Sequence, residues 1–426
     1  MKYIVNQKEV FGTIQAPASK SSMQRACAAA LLKRGESSIL RPGGSQDDLA
    51  ALAILKEMGA LVESHNEKLT IDSSRAFTGS SALNIHCGES GLGIRMFTPI
   101  VSLHTQKISV TGHGSLLKRP MHFFDEVLPQ LKVELTSNNG YLPFQLKGPL
   151  IPTNITVDGS LSSQYLTGLI MAFAGAAVSH NSCITVKNLK SKPYVDLTLD
   201  VLSRFGLPTP LNENYERFIF QTRKLPKEAH VNYTVEGDWS GSAFLLVAGA
   251  TNGHVTVNGL SIHSTQADKK VLEAIRDSGA YLAVSDKEIS VAHPGRILKP
   301  FYFDATDCPD LFPPLAVLAA ACGGTSRIRG VHRLTHKESN RALSIHNELG
   351  KLGITVSFDN DDMLIIGNNK LNSAQVHSRH DHRIAMACAV AALRADGPVE
   401  IEEAEAINKS YPDFFRDLQK ISKGNG

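Results

Sequence analysis

Lysines and arginines in this chain gather where glycine- and serine-rich turns open into helices. Lys20 and Arg25 flank Ser21 and Ser22, Arg95 follows Gly91 by one helical turn, and Lys118-Arg119-Pro120 follows a glycine-bearing turn. Further along stand Lys337-Glu338-Ser339-Asn340-Arg341, Asp381-His382-Arg383, and Lys409 just ahead of Tyr411-Pro412-Asp413. A helix N-terminus offers unpaired N–H groups and partial positive charge, and Gly or Ser lets the backbone approach an anion closely. At an effective dielectric near 20, a unit charge pair 4 Å apart is worth about 4 kcal/mol. Several such contacts could hold two phosphorylated or carboxylated substrates together against their mutual repulsion. Ordinary solvated charges account for any one of these residues, but not for the whole set at repeat turns. Lys337 and Arg341, four apart, are expected to open an amphipathic helix and project from one face, with Glu338 beside them.

The acids Asp238, Asp268, Asp310 and Glu338 are scattered, without metal-ligand spacing, and His380 with His382 has no third ligand nearby; no metal site is expected. No Walker A motif or G-x-G-x-x-G stands at a strand–helix junction, so a nucleotide cofactor is not expected either. The six cysteines (Cys27, Cys87, Cys183, Cys308, Cys322, Cys388) form no C-x-x-C pair, and buried free thiols are the simplest reading.

The elements that must position the cations repeat six times, at intervals of roughly seventy residues. The openings are Ala18-Ser19-Lys20-Ser21-Ser22, Gly88-Glu89-Ser90-Gly91, Gly159-Ser160-Leu161-Ser162-Ser163-Gln164, Gly237-Asp238-Trp239-Ser240-Gly241-Ser242, Asp307-Cys308-Pro309-Asp310 and His380-Asp381-His382-Arg383. Each feeds an Ala/Leu/Met-rich helix that is apolar nearly all round and must be buried. A turn, a short alternating strand, an amphipathic helix and one or two more strands follow. Several amphipathic helices end in a glycine suited to a left-handed cap: Gly59, Gly206, Gly279 and Gly353. Three such units around an axis place three apolar helices in the middle, and six units make two lobes. The polar stretch 221–229, with Lys224, Pro226, Lys227 and Glu228, is the expected linker between the third and fourth units.

Composition limits the alternatives. With 42% hydrophobic and 20% charged residues over 426, the chain can bury two or three cores. A net charge of +3, no run of like charge and 6% aromatics give no basis for nucleic-acid binding. The N-terminus lacks the apolar stretch of a signal peptide, and the longest apolar run, 165–178, is too short to span a bilayer; a cytoplasmic protein is expected.

Taken in order, Ser19-Lys20-Ser21-x-x-x-Arg25, Gly91-x-x-x-Arg95, Arg119-Pro120-Met121, Ser162-Ser163-Gln164, Ser191-Lys192-Pro193-Tyr194, Pro309-Asp310, Lys337-Glu338-Ser339-x-Arg341, Asp381-His382-Arg383 and Lys409-x-x-x-Pro412-Asp413 form a specific set. With them the chain resembles, over essentially its whole length, the 5-enolpyruvylshikimate 3-phosphate synthases of the enolpyruvyl transferase family. The resemblance implies an α/β (α+β) fold: a two-lobed inside-out α/β barrel of six βαβαββ repeats, three per lobe. One lobe would comprise residues 18–230 and the other 1–17 with 231–426. Helix N-termini of both lobes would face a cleft.

The reaction implied is transfer of the enolpyruvyl group of phosphoenolpyruvate to the 5-hydroxyl of shikimate 3-phosphate, releasing phosphate. This is a shikimate-pathway step toward chorismate and the aromatic amino acids, by addition and elimination, without a cofactor and in a monomer. By resemblance the catalytic groups are Asp310, Glu338, Lys20 and His382. Shikimate 3-phosphate falls to Lys20, Ser21, Arg25, Ser162, Ser163, Gln164, Ser191, Tyr194, Asp310 and Lys337. Phosphoenolpyruvate falls to Lys20, Gly91, Arg119, Gln164, Arg341, Arg383 and Lys409. The chain departs from the family pattern at Glu89-Ser90-Gly91-Leu92, where Asn-Ala-Gly-Thr is usual, at Arg333, where an Asn is expected, and at Asn340, where an acid is usual. The alternatives are a UDP-N-acetylglucosamine enolpyruvyl transferase, disfavoured because no cysteine sits in a polar mobile loop, and an inactive anion-binding paralogue.

Overall fold

The structure is a computed structural model that describes residues 1–426 apart from 178–179, 223–228, 287, 336, 368–369 and 423–426. The expected linker residues Lys224, Pro226, Lys227 and Glu228 lie outside the described residues. The chain forms two compact units: Met1–Ser19 with Glu236–Gly426, and Lys20–Val235. The second division falls later than residue 230 because Val231–Thr234 pairs in parallel with Glu36–Leu40 and so belongs to the unit before it.

Three four-stranded sheets make up the Lys20–Val235 unit. In spatial order they are Val231–Thr234, Glu36–Leu40, Lys68–Asp72, Leu61–His65; then Leu83–His86, Lys107–Thr111, Tyr141–Lys147, Glu134–Asn138; then Ile155–Asp158, Ser182–Lys187, Arg217–Phe220, Leu211–Glu213. In each the first pair is parallel and the others antiparallel. A parallel pair needs a crossover, which Gly91–Val101 and Ser163–Gly175 supply in the second and third sheets. Together with Lys20–Lys33 these helices pack pairwise, and nearly every residue on them is buried. Their small residues permit this: a Cβ on Gly168 would lie 2.4 Å from the Arg95 carbonyl oxygen. Full burial of each Leu, Ile, Met or Phe on them contributes roughly 1.5–3 kcal/mol.

The other unit follows the same plan with two substitutions. Its sheets are Tyr281–Val284, Glu288–Ala292, Gly253–Asn258, Val10–Gln15; Tyr302–Asp304, Thr325–Arg329, Asp362–Ile366, Thr355–Asp359; and Lys2–Val5, Val399–Glu402, Ala374–His377. Val10–Gln15 takes the first-strand place, parallel to Gly253–Asn258. The sixth repeat departs from βαβαββ. After Val399–Glu402 the chain enters the turn Ala404–Lys409 and the helix Phe414–Ser422, and the N-terminal strand Lys2–Val5 closes the sheet. The buried helices Trp239–Asn252, Phe312–Ala320 and His382–Ala392 again pack pairwise. The glycines expected to end helices, Gly59, Gly206, Gly279 and Gly353, all have left-handed φ, from 67 to 93°.

One helix differs from expectation at the site. Its first turn does not include Lys337 and Glu338: the helix is Arg341–Lys351, capped by Asn340, whose side chain accepts from the Leu343 N–H. Asn favours the cap over the helix interior, so the turn 337–339 stays outside.

Candidate active site

In the Met1–Ser19/Glu236–Gly426 unit the site is built on Asp310, at the opening of the Phe312–Ala320 helix. Its Oδ1 accepts from Lys337 Nζ at 3.2 Å and Arg341 Nη1 at 2.8 Å, and its Oδ2 accepts from Arg383 Nη2 at 3.0 Å. Arg341 is wholly buried and binds three acids: Asp310, Glu338 Oε2 at 2.6 Å, and Asp381 through Nε at 3.0 Å and Nη2 at 3.2 Å. Thus Lys337, Glu338 and Arg341 do converge, through a bend followed by a capped helix rather than along one helical face. Asp381 also accepts from Ser339 Oγ at 3.2 Å and caps its own helix through the Arg383 N–H at 3.0 Å. Arg383 keeps a buried Nη1 with no hydrogen-bond partner among the described residues. His382 is buried, its Nδ1 3.9 Å from Asp381 Oδ1, and Lys409 is buried at the end of the Ala404–Lys409 turn.

Charge sets the protonation states here. Burial alone would raise the Asp310 carboxyl, but Arg383, Lys337 and Arg341 hold it well below the usual carboxylate range. Burial lowers the Lys337 ammonium, against the pull of Asp310. Burial also lowers Arg333, whose charge faces Asp307 and Asp310 and adds a cation beside the acid. Behind them Asp268 accepts from Ser240 Oγ; burial, then Asp310, push it up to about 6. Asp310 and Lys337, with side chains 28% and 25% exposed, are the most solvent-accessible members of this ion-pair cluster, while Arg341 is wholly buried.

In the Lys20–Val235 unit a second group lies at the openings of the three buried helices. Lys20 starts the first helix and pairs with Asp47 at 2.9 Å. Next to Asp47, Asp48 completes a capping box with Ser45, and burial raises it to about 7 against those hydrogen bonds. Arg25 is buried, donating to the Ser21 carbonyl at 2.9 Å, Thr198 Oγ1 at 2.9 Å, the Tyr194 carbonyl at 3.3 Å and Thr167 Oγ1 at 3.4 Å. It thereby links Ser21 to the Ser191-Lys192-Pro193-Tyr194 turn, where Ser191 is buried with a left-handed φ of 56°.

Gly91 begins the second buried helix, and a Cβ there would stand 2.5 Å from Arg119 Nη1. Arg95 Nη1 donates to Gln164 Oε1 at 2.9 Å, and its guanidinium lies over the Tyr165 ring. Ser162 caps the third helix through the Gln164 N–H at 3.2 Å, and Ser163 is buried in its first turn. Glu89 accepts from the Ser115 N–H at 3.2 Å, bracing the turn Gly114–Lys118 that precedes Arg119. Neither Lys20, Arg119, Arg341, Arg383 nor Lys409 is dispersed over the exterior: all but Lys20 are buried, and its side chain is only 16% exposed.

Sequence reasoning did not single out Asp47, Asp48, Asp268 or Asp381 as site residues. The paired acids after Gly43-Gly44-Ser45 and the acid in Asp381-His382-Arg383 were the available signals; nothing local marks Asp268. Among the described residues no three His, Cys, Asp or Glu gather as metal ligands, and no helix is long and apolar enough to cross a membrane.

Solved structures share this architecture. An EPSP synthase from Acinetobacter baumannii superposes with a TM-score of 0.80 over 99% of this chain and 98% of its own, at 24% identity. The enolpyruvyl transferase NikO from Streptomyces tendae gives 0.77 over 98% and 96%, at 18% identity. At such identities these likenesses define the class of fold, that of the enolpyruvyl transferases. Sequence relatives are more specific. The 3-phosphoshikimate 1-carboxyvinyltransferase of Clostridium kluyveri is 35% identical over 428 residues, covering 99% of this chain and 97% of the relative. That of Methanocorpusculum labreanum is 34% identical over 422, covering 99% and 98%. The family model for EPSP synthase (3-phosphoshikimate 1-carboxyvinyltransferase) matches residues 4–418. The chain belongs to the EPSP synthase family, and with it to the transferases of aromatic amino-acid biosynthesis.

Proposed function

We propose that this chain transfers the enolpyruvyl group of phosphoenolpyruvate to the 5-hydroxyl of shikimate 3-phosphate, as a cytoplasmic monomer. The supporting observation is Asp310, a partly exposed carboxylate held ionised by three cations. Asp310 is the base for the 5-hydroxyl, Glu338 and Lys20 handle protons at the enolpyruvyl carbon, and His382 is the fourth catalytic group.

A base with so low a pKa accepts a proton poorly. Anionic substrates that engage Lys337, Arg341 and Arg383 weaken those cations' hold and raise its basicity as the complex forms. Protonation of the methylene carbon makes C2 electrophilic, and the hydroxyl oxygen attacks it while giving its proton to Asp310. Removal of a proton from the new methyl group, with departure of phosphate, regenerates the double bond.

Shikimate 3-phosphate is held by Lys20, Ser21, Arg25, Ser162, Ser163, Gln164, Ser191, Tyr194, Asp310 and Lys337. Phosphoenolpyruvate is held by Lys20, Gly91, Arg119, Gln164, Arg341, Arg383 and Lys409. Arginine suits this work because its planar fork meets carboxylate and phosphate with paired bonds. Four N–H groups of Arg341 already serve Asp310, Glu338 and Asp381, so it acts on the substrate largely by charge and by ordering these acids. Phosphate release assayed with each substrate alone and with both tests the reading; turnover that needs UDP-N-acetylglucosamine instead would replace it.

A further inference from the structure

Three residues of turn separate the strand Ala374–His377 from the Asp381 cap of the next helix, and two of them are strained. Arg379 and His380 both adopt left-handed φ, at 55 and 57°, where L side chains are disfavoured. Such a conformation persists only where its surroundings impose it, and here the imposing group is identifiable.

Glu348 lies on the helix Arg341–Lys351, seven residues (341 to 348) beyond Arg341 and so on the same face. Its wholly buried carboxylate accepts from the His377 N–H at 2.8 Å, Lys351 Nζ at 2.7 Å and Arg379 Nε at 2.7 Å, with Arg379 Nη2 also 2.7 Å away. On the other side Glu403 Oε2 lies 2.9 Å from His380 Nδ1. One helix thus grips the turn at two points: Arg341 on Asp381 and Glu348 on Arg379.

We propose that Arg379 is a positioning residue, whose guanidinium, seated on Glu348, holds the left-handed turn so that Asp381 meets Arg341 and Arg383 meets Asp310. The inference rests on the reading above in that Arg341 and Arg383 serve phosphoenolpyruvate. With a side chain 47% exposed, Arg379 can be truncated without opening a core cavity.

The test uses Arg379→Ala, Arg379→Gly and Arg379→Lys in the full chain. Arg379→Ala loses the paired bond and keeps the strain; Arg379→Gly loses the bond but adopts this φ without penalty. In steady-state kinetics both should raise KM for phosphoenolpyruvate about tenfold, the scale of one charge-assisted hydrogen bond, with KM for shikimate 3-phosphate changed less than about twofold. Arg379→Gly should regain melting temperature relative to Arg379→Ala without regaining KM, and Arg379→Lys should fall between Arg379→Ala and the parent in KM. A second readout needs no activity: exchange of the Arg383 amide hydrogen, bonded to Asp381, should speed about tenfold in both truncations. Unchanged KM in an active Arg379→Ala enzyme, or unchanged amide exchange, overturns the inference. A parent without turnover would instead count against the proposed function, and the exchange rate would still decide the role of Arg379.

Discussion

Replacing Asp310 with Asn removes one charge from the centre of the cation cluster while nearly preserving shape. Arg341 would keep Glu338 and Asp381, but among the described residues Asp310 is the carboxylate within ion-pair distance of both Lys337 and Arg383. Stranding a fully buried charge costs about 3–5 kcal/mol. With Asp310 28% exposed and Lys337 25% exposed, solvent screening cuts this to about 2 kcal/mol. For a unit of this size that lowers the melting temperature by about 4–8 °C. Inorganic phosphate at tens of millimolar should restore part of the loss, because the stranded cations then bind an anion. Turnover should fall by at least about 100-fold, the lower range for losing a general base. Affinity for shikimate 3-phosphate should stay within about 1–2 kcal/mol of the parent. Phosphate-release kinetics, calorimetry with and without phosphate, and titration with shikimate 3-phosphate measure the three quantities. Turnover within tenfold of the parent would remove Asp310 from the chemistry. A phosphate-insensitive melting temperature would contradict the charge accounting.

Other perturbations follow from the same geometry. Gly91→Ala places a methyl group 2.5 Å from Arg119 Nη1 and should raise KM for phosphoenolpyruvate several-fold, with stability changed by less than about 1 kcal/mol; an unchanged KM in steady-state kinetics would separate Gly91 from that substrate. Arg341→Met leaves three carboxylates facing one another and should cost more than about 3 kcal/mol by denaturant unfolding, with no turnover; a stable variant would show the cluster is weakly coupled. Asp48 has a folded pKa raised to about 7, so its stabilising contribution is complete below the ordinary carboxylate value near pH 4 and is lost as pH rises through about 7. Asp48→Asn should therefore gain roughly 2–3 kcal/mol on the parent between pH 5 and pH 8, and a pH-independent difference in urea unfolding would refute the shift.

Much of this arrangement is written in local sequence. Asp381 and Asp238 accept from backbone N–H groups at the openings of apolar helices, and Gly59, Gly206, Gly279 and Gly353 end amphipathic ones, because caps and left-handed glycines depend only on near neighbours. The resemblance placed residues 1–17, with Val10–Gln15, beside the later repeats, but the return of Val231–Thr234 to the sheet of Glu36–Leu40 was not legible, since a strand's pattern says which face is buried but not which partner it finds. Lys337 to Arg341 reads as one helix by spacing, yet Asn340 competes for the cap and leaves Lys337 and Glu338 in a bend. The burial of Asp48 and Asp268 is not legible because an Asp looks the same in sequence whether solvated or desolvated. Arg379 and His380 give no sign of their left-handed backbone, which depends on Glu348 and Glu403 from other elements.

The central claim is that the methylene carbon of phosphoenolpyruvate is protonated and then deprotonated while joined to shikimate 3-phosphate. Running the reaction in deuterium oxide and recording proton NMR of substrate and product tests it directly. Deuterium should enter the vinyl methylene position of the product, and only when shikimate 3-phosphate is present, because the transient methyl group mixes solvent and substrate hydrogens. Product formed with an undeuterated methylene group, or phosphoenolpyruvate consumed without shikimate 3-phosphate, would contradict it.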